Sequence, residues 1–291
     1  MRHQDAIAAL PPTARTLYPS AVSTTAPLAV GEGLAALSWR TLVSRPHDGA
    51  TNMAIDSALL QRAVATGEAT LRIYEWASPV ISLGRHQRAR GCYDLARAAA
   101  AGVSFVRRPT GGRAVFHHHE VTYSVAAPVR LGTLRESFTA ISRLIVSGLA
   151  RLGVQAWLAG EGRRRAPVPG LQPCFAEPVA GEILVGGRKL VGSAQYRDRD
   201  AILQQGSILV ENDQRLASWL LRGAPTASTN AIGLHEVVGR ELSAHELAHA
   251  LFCALEAVGA ETQALSVDDP LTGAAAKERE KFDDDAWTWR R

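Results

Sequence analysis

Only three cysteines occur in 291 residues, and Cys92, Cys174 and Cys253 stand far apart. So odd and dispersed a set supplies neither a disulfide framework nor the paired spacing of a zinc ribbon, and it points to a reducing, cytoplasmic setting. Also missing is any apolar run near the roughly 18 residues needed to span a bilayer, and the N-terminal stretch has no basic segment leading into a continuous apolar one. Neither a membrane protein nor an exported one is expected. No Gly-Lys-Ser/Thr follows Gly111-Gly112, and "GGRKLVGS" also fails the pattern, which removes the phosphate loop of nucleotide hydrolases. The net charge is only +4, far from the footprint of a nucleic-acid binder.

What is present describes a globular chain. Hydrophobic residues make up 46%, enough at this length to bury roughly 70–75% of the unfolded surface without disulfides. Residues 1–37, rich in Ala, Pro, Thr and Ser without a period, read as a poorly ordered leader, and 38–291 as one domain. Strand patterns fall at 38–44, 71–76, 79–84 and 103–108. Helix patterns fall at 52–65, with Asn52 as cap, and from Asp94 to Ala101. Thr133 and Glu136 open a long helix in capping-box spacing, and Ser243 and Glu246 open another over 243–258. Between them, "EILVGGRKLVGSAQYRDRDAILQQGSILV" reads as a three-stranded meander turned at Gly186-Gly187 and near 197–200. A short helix fits about 213–222. Interleaving of strands and helices without regular βαβ spacing favours a mixed α+β fold.

Three segments carry candidate chemistry. In "RRPTGGRAVFHHHEVTYSV", Gly111 and Gly112 free the backbone to approach a ligand while Arg107, Arg108 and Arg113 supply charge; a plain β-turn explains the glycines equally. His117, His118 and His119, read as part of a strand, alternate faces, so a trihistidine metal centre is disfavoured and one imidazole faces a cleft. "HELAH" matches the H-E-x-x-H metalloprotease pattern through His245, Glu246 and His249. Against it, the third ligand position of the extended pattern is Leu255, and Glu246 already has a role in the capping box. Cys174, between two prolines in "LQPCFAEP", is either a buried thiol or a nucleophile. As a nucleophile it needs a lowered pKa, because at about 8.5 only about 3% is thiolate at neutral pH. Lys189, on the strand that follows, is the candidate cation.

Taken in order, "NMAIDSALL", "LRIYEWASPVISLGRHQ", "RRPTGGRAVFHHHEVTYSV", "CFAEP" and "GGRKLVGSAQYRDRDAILQQGSILV" resemble the lipoate-protein ligase A and octanoyltransferase family, across most of residues 40–212. The resemblance implies a largely antiparallel mixed sheet flanked by helices, similar to the biotin/lipoate protein ligase catalytic domain with its class II synthetase-like architecture. It implies that Arg108, Gly111 and Gly112 form a loop over the acyl group, that His117, Gly192 and Ala194 line the pocket, and that Lys189 is the active-site lysine. A cysteine in "CFAEP" resembles the octanoyltransferases rather than the ATP-dependent ligases, as does the short charged end "KEREKFDDDAWTWRR". The implied reaction transfers an octanoyl group from acyl carrier protein through a Cys174 thioester to a lysine of a lipoyl-accepting protein, either the glycine cleavage H protein or a dehydrogenase E2 domain. It needs no metal or cofactor. Arg163, Arg164 and Arg165 are a candidate patch for an acidic carrier. Two positions depart from the family pattern: His118 replaces an acidic residue and Gln205 a histidine.

Overall fold

A computed structural model describes residues 33–160, 175, 181–223, 229–266 and 269–291. Cys174 and Arg163–Arg165 lie outside the described residues. The strands are β1 (Ser38–Val43), β2 (Ala69–Tyr74), β3 (Val80–Leu83), β4 (Ser104–Arg107), β5 (Val115–His117), β6 (Glu120–Pro128), β7 (Trp157–Leu158), β8 (Ile183–Val185), β9 (Arg188–Asp198), β10 (Ala201–Leu209) and β11 (Glu261–Ala264). The helices are α1 (Gly49–Thr66), α2 (Leu95–Ala100), α3 (Leu134–Arg151), α4 (Arg215–Trp219), α5 (Leu234–Val238), α6 (Ala244–Ala257), α7 (Asp269–Asp283) and α8 (Asp285–Thr288).

Eight strands form the main sheet in the order β11-β1-β2-β6-β10-β9-β8-β7, and β4-β3-β5 form a smaller one. Pairing is parallel at β1–β11, β1–β2 and β3–β4 and antiparallel elsewhere, the mixed α+β arrangement expected. The meander reads through as β8–β9–β10. Period-two alternation sorts the central strands. On β6, Val121, Tyr123 and Val125 enter the large core beneath α3 and α6, with Ile141, Ile145, Leu247 and Leu251. The opposite face of the sheet is covered by α1 and α7, where Ala126 and Leu203 meet Leu59, Ala63 and Leu271. Towards β5 that same face turns polar, and there the small sheet stands off to leave a cleft.

Both capping boxes form, at Thr133/Glu136 and Ser243/Glu246. The cap of α1 is Asp48, whose carboxylate accepts from Thr51 N at 2.8 Å. Asn52 lies a turn inside, buried, donating to the carbonyls of His47 and Glu75. The charged end of the chain is helical as α7 and α8 and buries Leu271 and Phe282. Leu34 and Leu37, placed by the sequence in the leader, are buried in the large core. Among the described residues no helix is long and apolar enough to cross a membrane.

Candidate active site

The loop between β4 and β5 forms one wall of the cleft, and Arg108 holds its shape from within. Its guanidinium donates to the Ser82 carbonyl (2.8 Å) and hydroxyl (3.0 Å), and to the carbonyls of Gly111 (2.6 Å) and Arg113 (2.8 Å). Arg108 thus binds the backbone of its own loop while lining the cleft. Gly112 has φ +88°, a conformation that favours glycine, and a Cβ there would press on the Arg108 guanidinium at 3.0 Å. Gly84, which the sequence analysis did not single out, is the surface on which the loop rests: a Cβ there would meet the Gly112 carbonyl at 1.9 Å. At Gly111 the space beside the backbone is open.

Arg107 points the other way. Fully buried, it donates to the carbonyls of Gly84 (2.6 Å), Gln87 (2.8 Å) and Thr288 (2.8 Å), joining the loop after β3 to α8. Burial, with Arg290, Arg291 and Arg108 nearby, pushes its pKa down to about 10, so it stays charged at neutral pH. Arg85 N bonds the Thr110 carbonyl at 2.8 Å, and the Arg85 guanidinium lies over Tyr196. Arg290 and Lys281 stack on Trp287, at 3.8 and 4.5 Å from the ring centre. Burial, and then repulsion from Arg85, depresses both cations. This positive cluster around Trp287 was missed by the sequence reading, because its members come from residues 85 and 281–291.

His117, at the end of β5, does face the cleft. Its Nε2 meets Ser82 Oγ at 2.7 Å, its Nδ1 meets Glu120 Oε1 at 2.9 Å, and its ring stacks on Trp76 with centroids 4.0 Å apart. Glu120 also accepts from Thr122 (2.7 Å) and Ser207 (2.5 Å), so the imidazole is tied to both sheets. His118 and His119 do not continue the strand. They occupy a turn, and both reach Asp213 on the outer side. The alternation expected from a strand therefore does not apply to them.

The main sheet supplies the other wall. Register pairs Ala194 with Gln205 and Gly192 with Ser207, putting all four on the face towards the cleft. Gln205 occupies the position where the family resemblance expected histidine. Its amide donates to Asp56 (2.7 Å) and its carbonyl accepts from Thr110 (2.8 Å), so it joins the glycine loop to the sheet. Asp56 is fully buried with Arg72 at 2.8 Å and also accepts from Tyr74 and Ser124. Burial beside that carboxylate pushes the Tyr74 phenol well above its ordinary pKa, keeping it a donor. "NMAID" contained Asp56 and "LRIY" contained Arg72, but nothing local revealed that they pair.

Lys189 is fully buried on β9, ion-paired with Glu182, with Nζ 4.5 Å from the centre of the Phe175 ring. It sits behind Gly192: a Cβ on that glycine would come within 3.0 Å of Lys189 Cε and 3.1 Å of the Phe175 ring. Thus Arg108, Gly112, His117, Gly192 and Ala194 converge on one cleft, with Lys189 one layer deeper. His245 and His249 are exposed on α6, away from it. Glu246 spends its carboxylate on Ser243 N (3.0 Å) and Arg240 (2.8 Å), so it is not available as the base of a metalloprotease.

The family described as the lipoyl protein ligase A/B catalytic domain matches residues 48–256. Octanoyltransferase LipM of Kyrpidia tusciae is 38% identical over 273 residues, covering 87% of this chain and 99% of its own. Octanoyltransferase LipM of Symbiobacterium thermophilum is 45% identical over 192 residues, 64% of this chain and 70% of its own. Among solved structures, lipoate-protein ligase A bound with ATP superposes with a TM-score of 0.73 at 21% identity, covering 87% of this chain and 99% of the other. A bipartite lipoate protein ligase from Thermoplasma acidophilum, studied with its E2 lipoyl domain, gives 0.70 at 19% identity, covering 87% and 96%. At those identities the structures speak for the fold.

Proposed function

Because the chain belongs to the lipoyl protein ligase A/B catalytic-domain family, we propose that it is an octanoyltransferase of protein lipoylation, acting from octanoyl-acyl carrier protein through a thioester on Cys174. The observation that carries the reading is the position of Phe175. Its ring lies against Lys189 behind Gly192, which lines the cleft, and Cys174 precedes it in the chain. A buried ammonium beside Phe175, the residue that follows Cys174 in sequence, supports the reading of a nucleophilic thiol, since nearby positive charge favours thiolate.

The Cys174 thiolate attacks the thioester carbonyl, the tetrahedral intermediate collapses, and the carrier thiolate leaves with a proton. A neutral acceptor lysine amine then attacks the acyl-enzyme, its proton returns to the group that protonated the carrier thiolate, and the amide forms as the Cys174 thiolate is released. Lys189, paired with Glu182, is the proton-bearing group suited to the leaving thiolate. The narrow cleft between the two sheets, floored by Met53 and Gly192 and walled by Trp76 and Val115, suits an unbranched acyl chain. Acceptors are lipoyl-accepting proteins, with the glycine cleavage H protein and dehydrogenase E2 domains as candidates. The cluster of Arg85, Lys281 and Arg290 around Trp287 suits an acidic carrier.

Incubation with octanoyl-acyl carrier protein, without nucleotide or acceptor, tests this. The intact mass should rise by one octanoyl group, released by hydroxylamine, and Cys174→Ala should gain none. Acceptor modification that instead requires ATP and a free acid would make the protein a ligase. Full transfer by Cys174→Ala would remove the thioester.

A further inference from the structure

On the outer side of the β5–β6 turn, His118, His119 and Asp213 bring one ligand atom each within 4.8 Å of one another. From these residues we infer a binding site for a divalent transition metal of the zinc class, which fastens the turn to the segment following β10.

Asp213 Oδ2 accepts the His119 backbone N–H at 3.3 Å, and the imidazole nitrogens facing it stand at distances that suit coordination better than a direct ring hydrogen bond. His118 Nδ1 and His119 Nδ1 each stand 3.4 Å from the same oxygen, Asp213 Oδ2, and His119 Nδ1 stands 3.4 Å from Glu211 Oε2. An N–H···O bond between free partners closes to about 2.9 Å. Ligand atoms around a tetrahedral zinc with bonds of about 2.0–2.1 Å are instead separated by about 3.3–3.5 Å. The Nδ1 atoms of two adjacent histidines also converge on one oxygen, with the rings 3.7 Å apart. Two like-facing imidazoles gain little from each other in water, but they suit a shared cation.

The site is held from both sides. His119 O accepts from the backbone N–H groups of Val210 and Glu211, both at 3.0 Å, fixing the turn. Asp213, with its side chain only 13% exposed, precedes Gln214, whose amide bridges Phe116 N (3.2 Å) and O (2.6 Å) on β5. Two imidazoles and one carboxylate, with Glu211 or water as a fourth ligand, form a nitrogen–oxygen set that suits zinc, and also nickel or copper, over magnesium. A metal there would brace the chain one residue from His117, whose ring stacks on Trp76 inside the cleft.

The test is zinc titration of chelator-treated full-length protein by calorimetry, with thermal unfolding followed in parallel. One equivalent should bind with micromolar or tighter affinity and raise the melting temperature. His118→Ala/His119→Ala should weaken binding at least tenfold, and Asp213→Asn, which keeps the shape, should weaken it as well. His245→Ala/His249→Ala should leave the titration unchanged. Cobalt substitution should give d–d bands without the intense absorption of thiolate coordination, which separates this site from the cysteines. The inference fails if the His118/His119 variant binds zinc as the wild type does, if binding follows His245 and His249, if the cobalt spectrum reports sulfur, or if no micromolar site exists.

Discussion

Arg72 in the main sheet and Arg107 in the small sheet are both fully buried, and they are held in opposite ways. Arg72 has a carboxylate partner, Asp56, supplemented by Asn52 Oδ1 at 2.7 Å and Ser44 Oγ at 2.9 Å. The hydrogen bonds of Arg107 go to three backbone carbonyls from two separate stretches of chain. In the first wall the charge is balanced by a side chain that one mutation can delete. In the second it is solvated by peptide dipoles that no single side-chain change removes. The sheet wall of the cleft is therefore fixed by sequence-specific pairing, whereas the loop wall is fixed by the path of the chain, including its helical C-terminal segment.

The sharpest way to break this contrast is Asp56→Ala. It strands the Arg72 charge and removes the acceptor of Tyr74, Ser124 and Gln205. Deleting one partner of a buried pair costs about 3–5 kcal/mol. Denaturant unfolding should show that loss, with Asp56→Asn falling between the variant and the wild type. A cost under about 1 kcal/mol would mean the pair is screened as a surface pair is.

Arg108→Met tests the loop wall and should separate activity from stability. The carbonyls of Ser82, Gly111 and Arg113 lose their donor, but these are neutral acceptors, and no paired carboxylate of the kind Asp56 provides is deleted. A shift of about 1 Å in a positioned wall is enough to cost about 100-fold in rate. The octanoyl loading rate should fall by about that factor, with a smaller loss of stability than in Asp56→Ala. Arg108→Lys should recover little, because a single ammonium does not present the planar fork that spans Ser82 and the loop carbonyls.

The same contrast explains what could be read from the sequence. Local signals were legible: both capping boxes, the meander and the Gly112 turn depend on residues within a few positions of one another. Asn52 looked like a cap because caps and buried amides use the same residue type, and only the tertiary partner Arg72 distinguishes them. The helical C-terminal segment was illegible because its charged pattern hides the anchors Leu271, Phe282 and Trp287, which gain meaning only against α1 and Arg107. The β1–β11 pairing joins residues more than 200 positions apart, and no local period reports it. His117 could be placed in the cleft, but the turn that swings His118 and His119 outward could not.

The smallest expected effect concerns the bond joining the two walls, from Thr110 Oγ1 to the Gln205 carbonyl. Thr110 is fully buried, and Gln205 keeps its second bond, to Asp56, whatever happens at position 110. Thr110→Val keeps the shape and removes only the hydroxyl, leaving one buried acceptor without that donor. The loss should be about 0.5–1.5 kcal/mol in denaturant unfolding. Gln205→Leu removes the acceptor too, and with it the bond to Asp56, so by itself it should cost more. The double variant decides whether the walls are energetically joined. If they are, the two losses combine to less than their sum by about 0.5 kcal/mol or more, because the second substitution no longer breaks the shared bond. Simple additivity would mean that the loop is positioned by Arg108, Gly84 and the Arg85–Thr110 backbone bond without the Thr110 hydroxyl, and that this hydroxyl contributes contact without coupling.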